Sequence, residues 1–321
     1  MAKDDNPRST VHKEVLRLAV LLAAIALATS RIGLIGHELV GHGGMALACG
    51  ARIVDVELFW FAGGWIRYQM SEPSLPAILA IAMAGIGLEL VVGLLLVQFV
   101  RGATLGRRLV RGIGAGLVVH ATWYLATGAF HGFGDGLVLY RALGDARVAV
   151  AIAAGLVTCA AAYLAARNVL GTLAATVRGG TRARVLGVIV AAVLAGGLHA
   201  GLAWGELRIR RDATYTATMQ HQRDRDIATE LAQWQREQAA RGTAIDDAQR
   251  RAEEVRLAQK HKTFPFVWLL AVATIASVIA GAVRARKVPD ETISNRLLAI
   301  TVAVALGAIC AVILIDVLVA M

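Results

Sequence analysis

Seven apolar runs, at about residues 16–36, 75–100, 109–130, 147–170, 185–205, 264–283 and 297–320, constrain what this chain can fold into. A helix rising 1.5 Å per residue needs about 20 residues to cross a hydrocarbon core of about 30 Å, and these runs have that length. Lipid offers the backbone no partner, so each run must satisfy its own amides as a helix. The chain is 57 % hydrophobic and only 17 % charged, which excludes a soluble domain built around one core. The expected fold class is an all-α polytopic membrane protein with about seven transmembrane helices. Ala26-Leu27-Ala28 mimics a signal-peptide cleavage site. The preceding region is long and contains Asp4, Asp5 and Glu14, and apolar sequence resumes after Arg31, so the first run reads as an uncleaved anchor.

A net charge of +10 does not imply nucleic acid here, because the basic residues cluster in short loops between apolar runs. Lys3, Arg8, Lys13 and Arg17 precede the first run, and Arg101, Arg107, Arg108 and Arg111 follow the second. Arg167, Arg178, Arg182 and Arg184 follow the fourth, and Arg284, Arg286, Lys287 and Arg296 follow the sixth. The alternate loops are poorer: 50–74 holds only Arg52 and Arg67, and 131–147 only Arg141 and Arg147. Seven spans place every rich segment on one side. The expectation is a multi-pass protein of the cell membrane with a cytoplasmic N-terminus and an extracytoplasmic C-terminus.

Two connectors have character of their own. Within 51–70, Asp55-Val56-Glu57-Leu58 alternates, Ala62-Gly63-Gly64 reads as a turn, and Trp65-Ile66-Arg67-Tyr68 follows, as in an interfacial β-hairpin. Trp60, Trp65 and Tyr68 suit the headgroup region. Either a strand edge for an extended substrate or a plain amphipathic connector fits. Residues 206–262 are polar, with 12 Lys/Arg and 10 Asp/Glu, and read as an extracytoplasmic helical hairpin continuing the fifth and sixth spans. Thr243-Ala-Ile-Asp246 resembles a capping box opening its second helix. His221 and His261 read as surface residues. Cys49, Cys159 and Cys310 lack metal or disulfide spacing and read as small buried thiols. The chain thus divides into a core (1–145), further spans (146–205), the polar hairpin (206–262) and two last spans (263–321).

The chemistry concentrates at the end of the first run, in His37-Glu38-Leu39-Val40-Gly41-His42. Zinc hydrolases use two imidazoles to hold the metal and a glutamate to take a proton from the polarised water. The usual spacing of the histidines is four; here it is five. On a regular helix five steps leave about 140° between the side chains, against about 40° for four. A π-bulge of about 4.4 residues per turn restores a shared face, and Gly41, Gly43 and Gly44 make the distortion cheap. On a regular helix Glu38 and His42, four apart, could ligate together instead.

A second cluster, His131-Gly132-Phe133-Gly134-Asp135-Gly136, follows the third run at the same membrane level. Asp135 offers a third zinc ligand, and the fourth position is left to water. His131 could ligate or stabilise the oxyanion formed when water attacks a carbonyl. The plainer alternative is a glycine-rich turn whose Asp caps the next helix. Arg31 and Glu89, rare types at such depth, could pair with each other or with the site. His120, His199 and Asp316 read as structural or pathway residues.

Residues 30–140 resemble the site-2 protease family of intramembrane zinc metalloproteases, particularly its smaller bacterial branch. His37 to His42 resembles that family's His-Glu-Leu-Gly-His with one residue added. Met45 to Arg52 with Gly63-Gly64 resembles its post-motif helix and hairpin, Ala84-Gly85-Ile86-Gly87 the start of its next helix, and Asp135-Gly136 its Asp-Gly. The asparagine and prolines that precede the Asp-Gly in the family are absent. The resemblance implies a zinc endopeptidase cutting transmembrane or membrane-anchored proteins, with Zn2+ on His37, His42 and Asp135 and Glu38 as base. The rival expectations are a catalytically inactive protease-like scaffold or binding protein, and a transporter with buried charges along its path.

Overall fold

The computed structural model describes residues 7–320; Lys3 and the Arg8 side chain, counted above, lie outside what it describes. Helix α1 (Pro7–Ile35) passes without interruption into a π-helical turn (Gly36–Gly43) and then α2 (Gly44–Ala48). Strands β1 (Arg52–Leu58) and β2 (Gly64–Gln69) form an antiparallel hairpin with Leu58 opposite Gly64. Helices α3 (Leu75–Phe99), α4 (Leu105–His131), α5 (Gly136–Leu143), α6 (Ala146–Ala174) and α7 (Thr181–Arg210) follow. The polar segment holds α8 (Ala213–Met219), α9 (Gln222–Ala240) and α10 (Asp247–Lys260), and α11 (Phe266–Val283) and α12 (Asn295–Ala320) complete the chain.

Among the described residues seven helical segments are long and apolar enough to span a bilayer, so the chain is an all-α polytopic membrane protein. They coincide with the seven apolar runs, except that the first continues through the His-Glu segment to Ala48. Helix α4 packs between α3 and α6, α11 lies on α6, and α1 packs on α7 and α12. Small residues allow these approaches: a Cβ on Gly93 of α3 would sit 2.8 Å from the Gly114 carbonyl of α4. Phe99, Trp268 and Val283 stay exposed, as lipid-facing side chains should.

One end of the bundle is stitched by the basic segments. Arg17 donates to the Ile293 carbonyl and to Asn295, Arg108 pairs with Glu291, and Arg184 pairs with Asp290 at 2.6 Å. The four basic stretches therefore meet on the same side, as the loop alternation requires.

At the opposite end the hairpin turn is gripped from two sides. Arg31 donates to the carbonyls of Phe59 (2.8 Å) and Ala62 (2.7 Å). Glu206, at the end of α7, accepts from the amides of Trp60 (2.6 Å), Phe61 (2.6 Å) and Ala62 (3.0 Å). Arg31 therefore pairs with the turn, not with Glu89: its fork reaches two carbonyls that the short loop cannot satisfy itself. Trp65 is buried with Phe59 and Ala62. Trp60 donates its indole N–H to Asp316 at 3.0 Å, and Asp316 also receives Arg210 at 2.6 Å.

The polar segment is not a simple continuation of two spans. Arg211 adopts a left-handed conformation (φ 48°) that ends α7, and extended Gln220 and His221 separate α8 from α9. The capping box opening α10 joins Asp246 and Gln249, three residues later than expected. Helices α9 and α10 do form a hairpin, with Glu230 accepting from Lys260 at 2.7 Å and close to His261 at 2.9 Å. His221 is not a free surface residue: its ring stacks on His131 (5.0 Å) and Phe133 (4.9 Å).

Replacing Glu206 with Ala leaves three amides and Arg210 without their counterpart. Glu206→Ala should lower stability by about 3 kcal/mol, read as an earlier midpoint in SDS unfolding followed by circular dichroism, with helicity before the transition unchanged.

Candidate metal centre

The histidine spacing of five is resolved by the π-helical turn, which covers the whole motif from Gly36 to Gly43. The turn is flanked by regular helical backbone at Ile35 (φ −58°, ψ −45°) and Gly44 (φ −60°, ψ −44°), so one residue is added without a break. His37 and His42 then share a face, with ring centroids 4.8 Å apart and planes at 78°. The packing partner is α3. A Cβ on Gly41 would lie 2.7 Å from Gly85 Cα, and a Cβ on Gly85 would lie 2.6 Å from His37 Cδ2 and Nε2. Two bare backbones meet here, and Gly85 leaves the space that the His37 ring fills.

Asp135 arrives from the loop after α4. The chain reverses at Gly132 (φ 68°) and Gly134 (φ 51°), and Tyr124 receives the Asp135 amide on its hydroxyl at 3.4 Å. Asp135 stands at the start of α5 but its side chain makes no capping bond. It faces the histidines instead, with Oδ2 3.0 Å from His37 Nε2 and Oδ1 3.2 Å from His42 Nε2. Burial pushes the Asp135 carboxyl up, but the two imidazoles beside it outweigh that and hold it below the usual carboxylate range.

Both imidazoles use Nδ1 outward. His37 Nδ1 meets Glu89 Oε1 at 3.1 Å, and His42 Nδ1 meets the Ile81 carbonyl at 2.7 Å. A carbonyl only accepts, so His42 carries its proton on Nδ1 and offers a lone pair on Nε2. Glu89 imposes the same arrangement on His37 and is itself held by His120 at 2.8 Å. Of the pairings open to Glu89, the one with the site forms.

Do these residues fit a metal? One ligand atom from each of His37, His42 and Asp135 lies within 4.8 Å of the others. The N–O separations of 3.0 and 3.2 Å approach the roughly 3.3 Å between neighbouring ligands around a tetrahedral ion with bonds of about 2.0–2.1 Å. His42 Nε2 is buried and has no hydrogen-bond partner, its alignment on Asp135 being poor. Such an orphaned lone pair beside a carboxylate and a second imidazole is suited to a cation of the zinc type.

Glu38 is not part of this ligand set. It is buried, yet it makes no hydrogen bond or ion pair among the described residues. It lines a cavity of about 730 Å³ together with His37, Glu89, His120, Tyr124 and Tyr215. The cavity descends between the helices to Leu22, Leu109 and Leu173, about 20 Å below the site at 1.5 Å per residue. Arg31 and His199 form part of its wall.

His131 does not join this wall. It is the last residue of α4; its ring packs on Phe130 (4.9 Å) and His221, and its Nε2 has no partner. The left-handed turn at Gly132 separates its direction from that of Asp135. Tyr124 and Tyr215 do line the cavity, and nothing in their sequence surroundings marks them out.

No protein-family model, curated protein or solved structure matches the chain.

Glu89→Ala should weaken zinc binding by about 10- to 100-fold, the effect typical of losing a ligand's hydrogen-bond partner, and titration with a zinc indicator in micelles measures it. Gly85→Ala pushes directly on the His37 ring. It should cost at least about 10-fold in the same titration while circular dichroism shows the helices intact.

Proposed function

We propose that this chain is an intramembrane zinc metalloendopeptidase, with His37, His42 and Asp135 holding the ion and Glu38 acting as the base. The observation that carries the reading is Glu38 itself: a buried carboxylate without a partner, one residue from a candidate ligand, facing a cavity. Leaving such a group unpaired at membrane depth is costly and marks a functional residue. The resemblance to site-2 proteases agrees with this assignment.

When bound, a zinc ion supplies Lewis acidity that polarises a peptide carbonyl and lowers the pKa of water to about 7. Glu38 takes the proton of the attacking water. The water oxygen bonds to the carbonyl carbon, the C–N bond breaks, and Glu38 returns the proton to the departing amine. Asp135 and the two imidazoles hold position, fixed from behind by Glu89, Ile81 and Tyr124. His131, which faces His221, is given no part in oxyanion stabilisation.

The substrate in this reading is a transmembrane or membrane-anchored polypeptide. Helical carbonyls are occupied by their own amides, so the segment must unwind near the site. The apolar lower cavity suits the part of the substrate that remains in the bilayer. With the basic end cytoplasmic, the metal centre and α8–α10 lie toward the extracytoplasmic face of the cell membrane. A transport path would use Arg31 and Glu89, but these are committed to the hairpin turn and to His37 and His120.

Glu38→Gln should retain about one zinc per chain and the wild-type melting profile while cleavage of a membrane-protein substrate in vesicles falls by about 10²- to 10⁴-fold. Wild-type protein that takes up no zinc would defeat the reading. Equal cleavage by wild type and Glu38→Gln would defeat the assignment of the base.

A further inference from the structure

Helix α8 belongs to the polar segment, yet it lies against both structures that flank the metal centre. On one side Tyr215 packs at a tilt of 57° on Phe59, with centroids 5.0 Å apart, and covers Gly63. A Cβ on Gly63 would stand 2.8 Å from Tyr215 Cε2 and 3.0 Å from its hydroxyl oxygen. On the other side the amide of Gly134, next to Asp135, donates to the Thr218 carbonyl at 3.0 Å. Tyr215 and Met219 line the same cavity as Glu38 and His37. Just beyond α8, His221 sits between His131 and Phe133, both of the loop region that carries Asp135.

The same helix is weakly built. It has seven residues and buries none of them. A helix of two turns is well short of the length that holds in isolation. Arg211, just before it, is the only non-glycine residue with positive φ among the described residues, a conformation uncommon outside glycine and asparagine. Few buried contacts place a segment at the low end of local stability. Arg225 of α9 clasps the carbonyls of Ala217 (2.5 Å) and Gln220 (3.3 Å), which ties α8 to the start of α9.

We propose that α8 is a movable roof over the candidate metal centre. It is hinged at Arg211–Asp212, latched by Tyr215 on Gly63 and by Thr218 on Gly134, and coupled through Arg225 to the α9–α10 hairpin. Closed, it covers the cavity that Glu38 lines. Displaced, it opens the site to a polypeptide arriving from the side of the polar segment. What the roof covers rests on the proposed metal-centre reading; that it moves does not.

Two substitutions attack the latch from opposite sides. Tyr215→Ala removes the ring, and Gly63→Ala pushes it away. Hydrogen–deuterium exchange of the full chain in micelles, with no metal added, should show residues 213–219 exchanging faster than α7 in the wild type. Each variant should speed that exchange about tenfold with α7 unchanged. In zinc-loaded protein, release of zinc to 1,10-phenanthroline should accelerate about tenfold in both variants, as expected if chelator entry follows local opening. Exchange across 213–219 as slow as in α7, and unmoved by either substitution, overturns the roof. If the chain takes up no zinc, the metalloprotease reading fails and the exchange comparison alone decides on the roof. Should Tyr215→Ala not fold, the comparison of Gly63→Ala with the wild type decides between the same two outcomes.

Discussion

A histidine spacing of five, accommodated by a π-helical turn between Gly36 and Gly43, is the constraint on which the candidate site depends. In water a chain could absorb an insertion by looping out. At membrane depth the freed amides and carbonyls would have no partner, so the insertion must stay inside a hydrogen-bonded helix. The π-helical turn does this and rotates His42 back toward His37. It also widens the helix locally, and only a bare backbone on the facing helix can accept that. Gly41 against Gly85 supplies the fit, and the same Gly85 leaves the pocket for the His37 ring. Spacing, packing and ligand geometry are thus one arrangement.

Around that turn, Glu38 and His42 Nε2 apart, the buried charged groups are matched pair by pair. Arg31 and Glu206 grip the carbonyls and amides of one turn, Glu89 bridges His37 and His120, and Ile81 receives His42. Each pair joins segments far apart in sequence. The hairpin turn, α3 and the loop after α4 are therefore fixed relative to the candidate metal centre by polar bonds, not by apolar packing alone. This suits a bilayer, where lipid tails compete with apolar side chains but not with hydrogen bonds.

The spans, the hairpin and the need for a π-bulge were legible in the sequence because each follows from a local rule: run length, alternation with a glycine turn, and helical azimuth. The convergence of Asp135 on the histidines could be anticipated only as a shared membrane level, and the direction of its side chain depended on Gly132 and Gly134. Those two left-handed residues also explain why His131, only four positions earlier, ends on the far side against His221. Glycine signals that a chain can reverse without saying where it then points. The breaks around α8 were hidden for a different reason: Arg211 carries no turn signature, and its left-handed conformation is imposed by its surroundings. The burial of Trp65 beside Phe59 and Ala62, next to a turn held by Arg31 and by Glu206 from more than a hundred residues away, was equally hidden from local pattern.

Glu38 separates a metal-holding scaffold from a hydrolase. The two imidazoles and Asp135 would bind an ion equally well in either, and Glu89 would orient His37 in either. A scaffold gains nothing from a carboxylate beside the site that bonds to no residue, and it bears the cost of keeping one partly desolvated. Neighbouring buried carboxylates, Glu89 and Glu206, are satisfied by histidines or amides, so the fold is able to pair such groups where pairing serves it. Of the three, Glu38 alone lines the cavity without a hydrogen-bond partner. A free carboxylate in that place is what abstraction of a proton from water requires, and it is the feature that structure without chemistry would be expected to lose first.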